Sequence, residues 1–131
     1  MRFLKIFLLV CMLFTIGCET YEDEGIINNH NYYIKYHYII SSTSKQYCSA
    51  TVEYTDSNYE KRKIKYANTS IYEYDVICGP FNYNDTVELN IVDTYNVNSI
   101  LCEIYVSMND EPFTLRYYNN SIKNTYTIDY N

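Results

Sequence analysis

The sequence predicts an all-β protein, an antiparallel β-sandwich of about seven to eight strands behind an N-terminal signal peptide. Three observations predict this fold. Short runs rich in Tyr, Ile, Val and Thr alternate apolar with polar residues, as half-buried strands do. Clusters of Asn, Asp and Ser separate these runs, at a spacing near ten residues per strand. After the signal, no segment keeps a helical period.

Composition narrows the classes of function. The chain has 131 residues, of which 47% are apolar and 20% charged, so it supports a packed core rather than disorder. It contains 18 Tyr and no Trp, whereas Gly (3) and Pro (2) are scarce. So few glycines exclude a collagen-like chain and argue against a phosphate-binding loop or a dinucleotide site. The net charge of −6 argues against nucleic acid and against electrostatic docking on anionic lipid.

Residues 1–17 are predicted to be a signal peptide. Arg2 and Lys5 precede or flank the start of an apolar stretch at residues 6–16, which is shorter than the roughly 20 residues of a membrane-spanning helix. The segment Thr15-Ile-Gly-Cys18 resembles a bacterial lipobox, the motif read by lipoprotein signal peptidase. The resemblance implies that Cys18 receives a palmitate-type diacylglycerol anchor and becomes the first residue. An ordinary secretory signal with a coincidental Cys is the alternative.

The residues after Cys18 are acidic and polar. Glu19, Glu22, Asp23 and Glu24 precede an Asn-rich stretch, and this pattern resembles the tether of Bacteroidetes surface lipoproteins. A plain solvated linker is the alternative. The chain therefore divides into a signal (1–17), a lipid-anchored acidic tether (18–31) and a β-sandwich domain (32–131).

Eight strands are expected within the sandwich domain. Asn and Asp are expected to make the turns between them, because both tolerate left-handed backbone conformations. The apolar phase of each strand marks the core, and six tyrosines are expected to close its ends with buried rings and solvated hydroxyls. These tyrosines are Tyr32, Tyr36, Tyr54, Tyr66, Tyr72 and Tyr74. The predicted strands are 32–40, 48–54, 59–66, 71–78, 86–92, 100–108, 112–118 and 124–130.

The alternation also assigns side chains to the two faces of each strand. Lys61, Lys63 and Lys65 share one face of the third strand, which favours a solvated face or a protected sheet edge over an anion site. The core-facing set predicted from the other strands is Cys48, Ala50, Val52, Tyr54, Val87, Leu89, Ile91, Ile100, Cys102, Ile104, Val106, Met108, Phe113, Leu115 and Tyr117.

Four segments resemble a known family. They are Tyr33-Ile-Lys-Tyr-His, Ala50-Thr-Val-Glu-Tyr-Thr-Asp, Val87-Glu-Leu-Asn-Ile and Leu101-Cys-Glu-Ile-Tyr-Val-Ser. In this order they resemble the small envelope proteins typified by the mycobacterial MmpS family, and short Bacteroidetes lipoproteins that share the pattern. The resemblance implies an immunoglobulin-like sandwich outside a membrane and, in the MmpS case, a role as an accessory to a lipid exporter.

Three cysteines remain in the sandwich domain, at Cys48, Cys78 and Cys102. An exported compartment permits disulfides, and the second and sixth strands of a sandwich usually face each other, so a Cys48–Cys102 bridge is expected. Cys78 is then left unpaired. The alternative is three buried, reduced thiols that pack as small hydrophobes. No metal site is expected, because there is no CxxC and His30 and His37 lack ligand spacing.

No catalytic constellation stands out, so we expect neither an enzyme nor a cofactor. His37 is a lone histidine on a strand, and Glu73 and Asp75 are expected on a solvated strand face. Exposed tyrosines at Tyr72, Tyr74, Tyr117 and Tyr118 are the candidate binding surface.

The sequence thus predicts a lipid-anchored binding or accessory module of the bacterial cell envelope, at the outer membrane or cell surface. Its partner is expected to be a protein or a glycan rather than nucleic acid. The alternatives are an accessory subunit of an RND-type exporter and a secreted glycoprotein of eukaryotic or viral origin with the same sandwich.

Overall fold

The computed structural model describes residues 30–43 and 46–129. These residues form eight strands, one for each predicted run. The strands are β1 (Tyr32–Ser41), β2 (Cys48–Thr55), β3 (Lys61–Thr69), β4 (Ile71–Phe81), β5 (Thr86–Tyr95), β6 (Ser99–Met108), β7 (Thr114–Asn119) and β8 (Lys123–Thr127).

The strands form two four-stranded antiparallel sheets, with no helix among the described residues, so the predicted all-β sandwich is confirmed. The first sheet has the order β4-β1-β6-β7 and the second the order β3-β2-β5-β8. The second sheet and the β4-β1 pair follow the strand order of an immunoglobulin fold, in which the chain crosses repeatedly between two sheets. The departure is β6, which comes late in the chain yet pairs with the free side of β1.

Strand β1 organises the core. Its burial alternates strictly along all ten residues, because it lies between β4 and β6 and the second sheet covers one face. Tyr36 and Tyr38 are fully buried, and their hydroxyls reach the second sheet, where Tyr36 donates to the Thr55 carbonyl (2.8 Å) and Tyr38 bonds the Tyr66 hydroxyl (2.5 Å). Burial raises the pKa of both phenols above the usual range. The expectation of solvated hydroxyls is therefore wrong for Tyr36, which bonds a carbonyl inside the core.

The other core positions follow the predicted alternation with three exceptions, the first of which is Phe113, whose ring lies under the Lys35 ammonium on the outer face instead of in the core. Cys48, Val52, Leu89 and Ile104 are all fully or almost fully buried, as predicted. Leu115, however, is 44% exposed, because a register shift between β6 and β7 at Ile104/Tyr105 turns it to the outer face. Tyr74 is 52% exposed because it lies on β4, at the edge of its sheet.

Asn and Asp make the turns, as predicted. Among the described residues, six of the seven non-glycine residues with positive φ are Asn or Asp, and the seventh is Tyr59. Tyr59 belongs to the β2–β3 turn, where Asp56 accepts backbone hydrogen bonds from Asn58 (2.8 Å) and Glu60 (3.0 Å). Arg62 donates to the same carboxylate (2.6 Å), and this contact holds the pKa of Asp56 below its usual range. The turn therefore extends to Glu60, which is why β3 begins at Lys61 rather than at Tyr59.

A buried asparagine joins the two sheets at their β7 and β8 edges. Asn124 on β8 is fully buried, and its amide donates to the carbonyls of Leu89 (2.9 Å) and Ser121 (2.8 Å). Its side-chain oxygen accepts from the Tyr117 hydroxyl on β7 (3.3 Å), and Asn119 donates to that hydroxyl in turn (2.9 Å). Because every polar atom of the amide has a partner, this buried group connects the sheets instead of weakening the core.

Replacing Asn124 with Ala is expected to lower the free energy of unfolding by about 1–3 kcal/mol, because it leaves the Leu89 carbonyl and the Tyr117 hydroxyl without their partner. Equilibrium urea unfolding measures the change. Asn120→Ala, an exposed position in the same connection, is the control and is expected to change stability by less than about 0.5 kcal/mol. Equal losses in the two variants would contradict a role for the buried network.

Candidate binding surface

The four tyrosines predicted to form a binding surface do not lie together. Tyr72 and Tyr74 are on β4 and Tyr117 and Tyr118 on β7, at opposite edges of the first sheet. Two strands separate them, so the edges are about 14 Å apart at a strand spacing of about 4.8 Å. These tyrosines therefore do not make one contact surface.

Two of the four tyrosines have structural roles. The Tyr72 ring packs against Tyr66 with 4.6 Å between centroids, and its hydroxyl donates to the Cys48 carbonyl (3.4 Å). Tyr117 bonds Asn124 inside the sandwich. Only Tyr74 and Tyr118 present large exposed areas, and Tyr118 is 59% exposed on the outer face of the first sheet.

That outer face is rich in apolar side chains. Ile71, Ile77, Leu115 and Tyr118 are among the most exposed large apolar residues of the described chain. The face is defined by the positions that alternate with the core residues and by their cross-strand partners. It comprises Tyr33, Lys35, His37 and Ile39 on β1, Ile71, Glu73, Asp75 and Ile77 on β4, Leu101, Glu103 and Tyr105 on β6, and Phe113, Leu115 and Tyr118 at β7.

The outer face of the second sheet is polar. It carries Lys61 and Lys63 on the edge strand β3, where they pair with Glu88 (2.9 Å) and Glu53 (2.6 Å). The remaining positions are Ser49, Thr51 and Thr55 on β2, Lys65 on β3, Asn90, Val92 and Tyr95 on β5, and Lys123 and Thr125 on β8, and of these only Val92 and Tyr95 are apolar or aromatic. An antiparallel sheet whose outer face meets water normally alternates in this way. The two outer faces of this sandwich therefore differ in polarity, the first being rich in apolar side chains and the second in polar ones.

A histidine and three carboxylates lie in the middle of the apolar face. His37 Nδ1 is 2.5 Å from Asp75 Oδ1, and Nε2 lies 3.8 Å from Glu73 Oε1 and 3.9 Å from Glu103 Oε2. The Tyr105 hydroxyl donates to Glu103 (2.8 Å), and this contact raises the pKa of the phenol. Most polar groups on this face are therefore already bonded to one another.

Aromatic rings continue the face toward the β6–β7 turn. The Lys35 ammonium lies 4.3 Å from the centroid of Tyr105 and 5.6 Å from that of Phe113, which places a cation over two rings. Next to this contact is a shallow groove of about 290 Å³, lined by Tyr33, Ile77, Ser107, Asp110, Glu111 and Phe113.

Sequence reasoning missed this face because it followed the apolar phase of each strand. The sequence did contain a signal of this face, at the positions of β1, β4 and β6 that alternate with the core residues. Ile39 on β1, Leu101 on β6 and Ile77 on β4 are apolar where β2 and β5 carry Thr, Ser, Glu or Asn. Apolar residues in both phases of neighbouring strands indicate a sheet whose second face is also covered.

The structure corrects the predicted disulfide. Cys48, Cys78 and Cys102 are all free and buried. The Cys102 thiol contacts Asn124 on β8, whereas the Cys48 thiol bonds the Thr69 carbonyl on β3, at the opposite edge of the second sheet. The second and sixth strands do lie in opposite sheets, but their cysteines meet different partners.

Burial makes these thiols weak nucleophiles. It raises the pKa of Cys78 to about 11 and that of Cys102 to about 12. Cys48 donates its thiol hydrogen to the Thr69 carbonyl (3.3 Å). Reaction of a cysteine requires the thiolate and access to it, so burial hinders all three thiols and the raised pKa further hinders Cys78 and Cys102.

The described residues hold no group of three His, Cys, Asp or Glu side chains arranged to bind a metal ion. In the same part of the chain, no helix has the length and apolarity needed to cross a bilayer. The proposed lipid site Cys18 lies outside the described residues. Comparison with protein-family models, with curated proteins and with solved structures finds no match to this chain.

Cys48, Cys78 and Cys102 are expected to be unreactive toward a thiol reagent at pH 8 in the folded chain, because all three side chains are buried and burial also raises the pKa of Cys78 and Cys102. In guanidinium all three are expected to react at once, without prior reduction. The measurement is thiol titration of the exported chain carrying Cys18→Ser. A requirement for reductant before the three thiols appear would mean that a disulfide forms after all.

Proposed function

We propose that this chain is an exported, lipid-anchored, non-catalytic binding module of the bacterial envelope, which binds a partner protein through the outer face of its first sheet. The anchor is supported by the signal-like residues 1–17 and by the lipobox-like segment ending at Cys18. The binding role is supported by one observation above all, the difference between the two outer faces. An exposed apolar face on an otherwise polar molecule marks an interaction site.

The chemistry of the face favours a protein partner over a glycan. A glycan is held by polar side chains beside aromatic rings, and here His37, Glu103 and Tyr105 already bond within the face. The free contact area is instead aliphatic and aromatic, as at Ile77, Leu115 and Tyr118. Protein interfaces are built from such groups at their centres.

Charge narrows the partner further. Glu73, Asp75 and Glu103 surround His37 at the centre of the face. Among the positions that define this face, Lys35 on β1 is the one lysine or arginine. Two copies meeting face to face would bring these carboxylates together, which opposes self-association through this surface. The expected partner is therefore a different protein, whose apolar patch carries Lys or Arg.

The tether gives this face reach above a membrane. Thirteen residues separate Cys18 from β1, and they span at most about 45 Å when fully extended. At the end of the tether, Asn109 receives a hydrogen bond from the Asn31 backbone (3.0 Å) and bonds His30 (2.6 Å). These contacts hold His30 and Asn31 against the β6–β7 turn, so the tether joins the domain at that end of the sandwich.

The mature protein is expected to begin at Cys18 and to carry diacylglycerol, because the lipobox directs both modification and cleavage. Intact-mass measurement on the native membrane fraction tests this, with Cys18→Ala as the control that loses the lipid. A mass that begins at another residue and lacks lipid would contradict the anchor. An N-glycan on that mass would instead support the secreted glycoprotein.

A photo-crosslinking residue at Tyr118 is expected to give one discrete protein adduct on whole cells, whereas the same residue at Tyr95 is expected to give none. Tyr95 is the matched control because it is 67% exposed but lies at the end of β5 in the other sheet. Leu115→Asp is expected to abolish the adduct, and higher salt to weaken it, because apolar contact and charge both contribute. An adduct that survives Leu115→Asp, or equal labelling at Tyr95, would contradict the assignment, and a carbohydrate adduct would identify a glycan ligand.

A further inference from the structure

We propose that two copies of this chain associate edge to edge, with β3 of each copy pairing with β4 of the other. These two strands follow each other in the chain with only Ser70 between them, and they form the edges of opposite sheets. Both edges lie on the same side of the sandwich, as the contact between the Tyr66 and Tyr72 rings shows. A second copy placed at this side therefore meets both edges at once.

These two edges are the long ones. Strand β3 has nine residues and β4 has eleven, whereas the edges on the other side, β7 and β8, have six and five. Register shifts occur in β3 and β4 as well as in β7, but in β3 and β4 they lie near one end and leave residues 61–66 and 71–78 regular. Short and irregular strands protect a sheet edge from pairing, and long regular ones expose a row of free backbone groups. The two edges with the longer regular stretches are thus on one side.

The charges on the two edges are opposite in sign. The outer face of β3 carries Lys61, Lys63 and Lys65, and the outer face of β4 carries Glu73 and Asp75. Pairing β3 with β3 would oppose lysines, and pairing β4 with β4 would oppose carboxylates. Only the mixed pairing places unlike charges on neighbouring strands, and unlike cross-strand pairs stabilise a sheet whereas like pairs destabilise it. The charges therefore disfavour β3–β3 and β4–β4 pairing between two copies and favour β3–β4 pairing.

The charged residues of β3 in one copy also lie at the same level along the strand axis as those of β4 in the other. Because Tyr66 and Tyr72 face each other within one copy, a two-fold axis parallel to the strands keeps these levels and exchanges the two sheets. Strands β3 and β4 run in opposite directions, so the new pairs are antiparallel. Lys65 then lies beside Glu73 of the second copy, and Lys63 beside Asp75 of the second copy.

The inner sides of the edges also fit. In the same register, Tyr74 of one copy is the cross-strand neighbour of Ile64 of the other. This contact would cover the Tyr74 side chain, which is 52% exposed in the single chain. The existing pairs of Lys61 with Glu88 and Lys63 with Glu53 do not compete strongly, because exposed ion pairs are weak and an ammonium has three donors. The result is two continuous eight-stranded sheets, and the apolar outer faces remain open.

The test is sedimentation equilibrium of the exported chain with Cys18→Ser, which retains all eight strands. We expect twice the mass of one chain. Lys63→Glu with Lys65→Glu, and separately Glu73→Lys with Asp75→Lys, are each expected to weaken the dimer at least tenfold, about 1.4 kcal/mol. Mixing these two variants is expected to restore a dimer, because each acidic β3 edge then meets a basic β4 edge. Lys123→Glu with Arg116→Glu, with the same charge change on the opposite side, is expected to leave the dimer unchanged.

Three outcomes would overturn the proposal: a wild-type chain that is monomeric at its highest soluble concentration, a dimer that survives both reversals, or a mixture of the two variants that stays monomeric. Circular dichroism and the melting temperature establish that each variant is folded. The proposal is tested separately from the partner-binding face, since crosslinking from Tyr118 on the far edge is expected to persist in the Lys63→Glu with Lys65→Glu variant, whose changes lie in the other sheet.

Discussion

The rest of the structure depends on the alternation of β1, because among the eight described strands it alone is paired from end to end on both sides. Its partners are β4 and β6, and a shift of one residue in its register would move Tyr36 and Tyr38 out of the core and His37 into it. The two tyrosines fix the second sheet as well, since their hydroxyls bond Thr55 and Tyr66. Register, core and sheet packing are thus set together by one strand.

The architecture could be predicted from the sequence because a strand that alternates polar and apolar residues is recognisable from that pattern alone. All eight strands lie where alternation and Asn/Asp clusters placed them, and the deviations have local causes such as the Asp56 turn and the β6–β7 register shift. The core set was correct wherever a strand had a single apolar phase. It failed at Phe113 and Leu115, which lie before the shift and therefore have the opposite phase.

The binding surface was harder to predict because it depends on how strands are ordered. Tyr72 and Tyr74 looked equivalent to Tyr117 and Tyr118 along the chain, yet they occupy opposite edges of one sheet and only one of each pair is well exposed. The Cys48–Cys102 bridge failed for a related reason. Membership of opposite sheets follows from the order of strands, but the partner that a side chain meets across the core depends on register and packing, which composition does not reveal. Predicting the binding surface and the cysteine contacts would have required knowing which strands pair and in which register.

The ten-residue ladder between β1 and β6 also determines how the domain responds to force. A pull on the chain before Tyr32 acts along the axis of β1, so all of the hydrogen bonds of that ladder are sheared together instead of opening one at a time. If the opposing force is applied at Leu115 and Tyr118, the tension passes from β1 through β6 to β7 and stays within the first sheet. The second sheet then carries little of the tension, and its hydrogen bonds are spared under such a load.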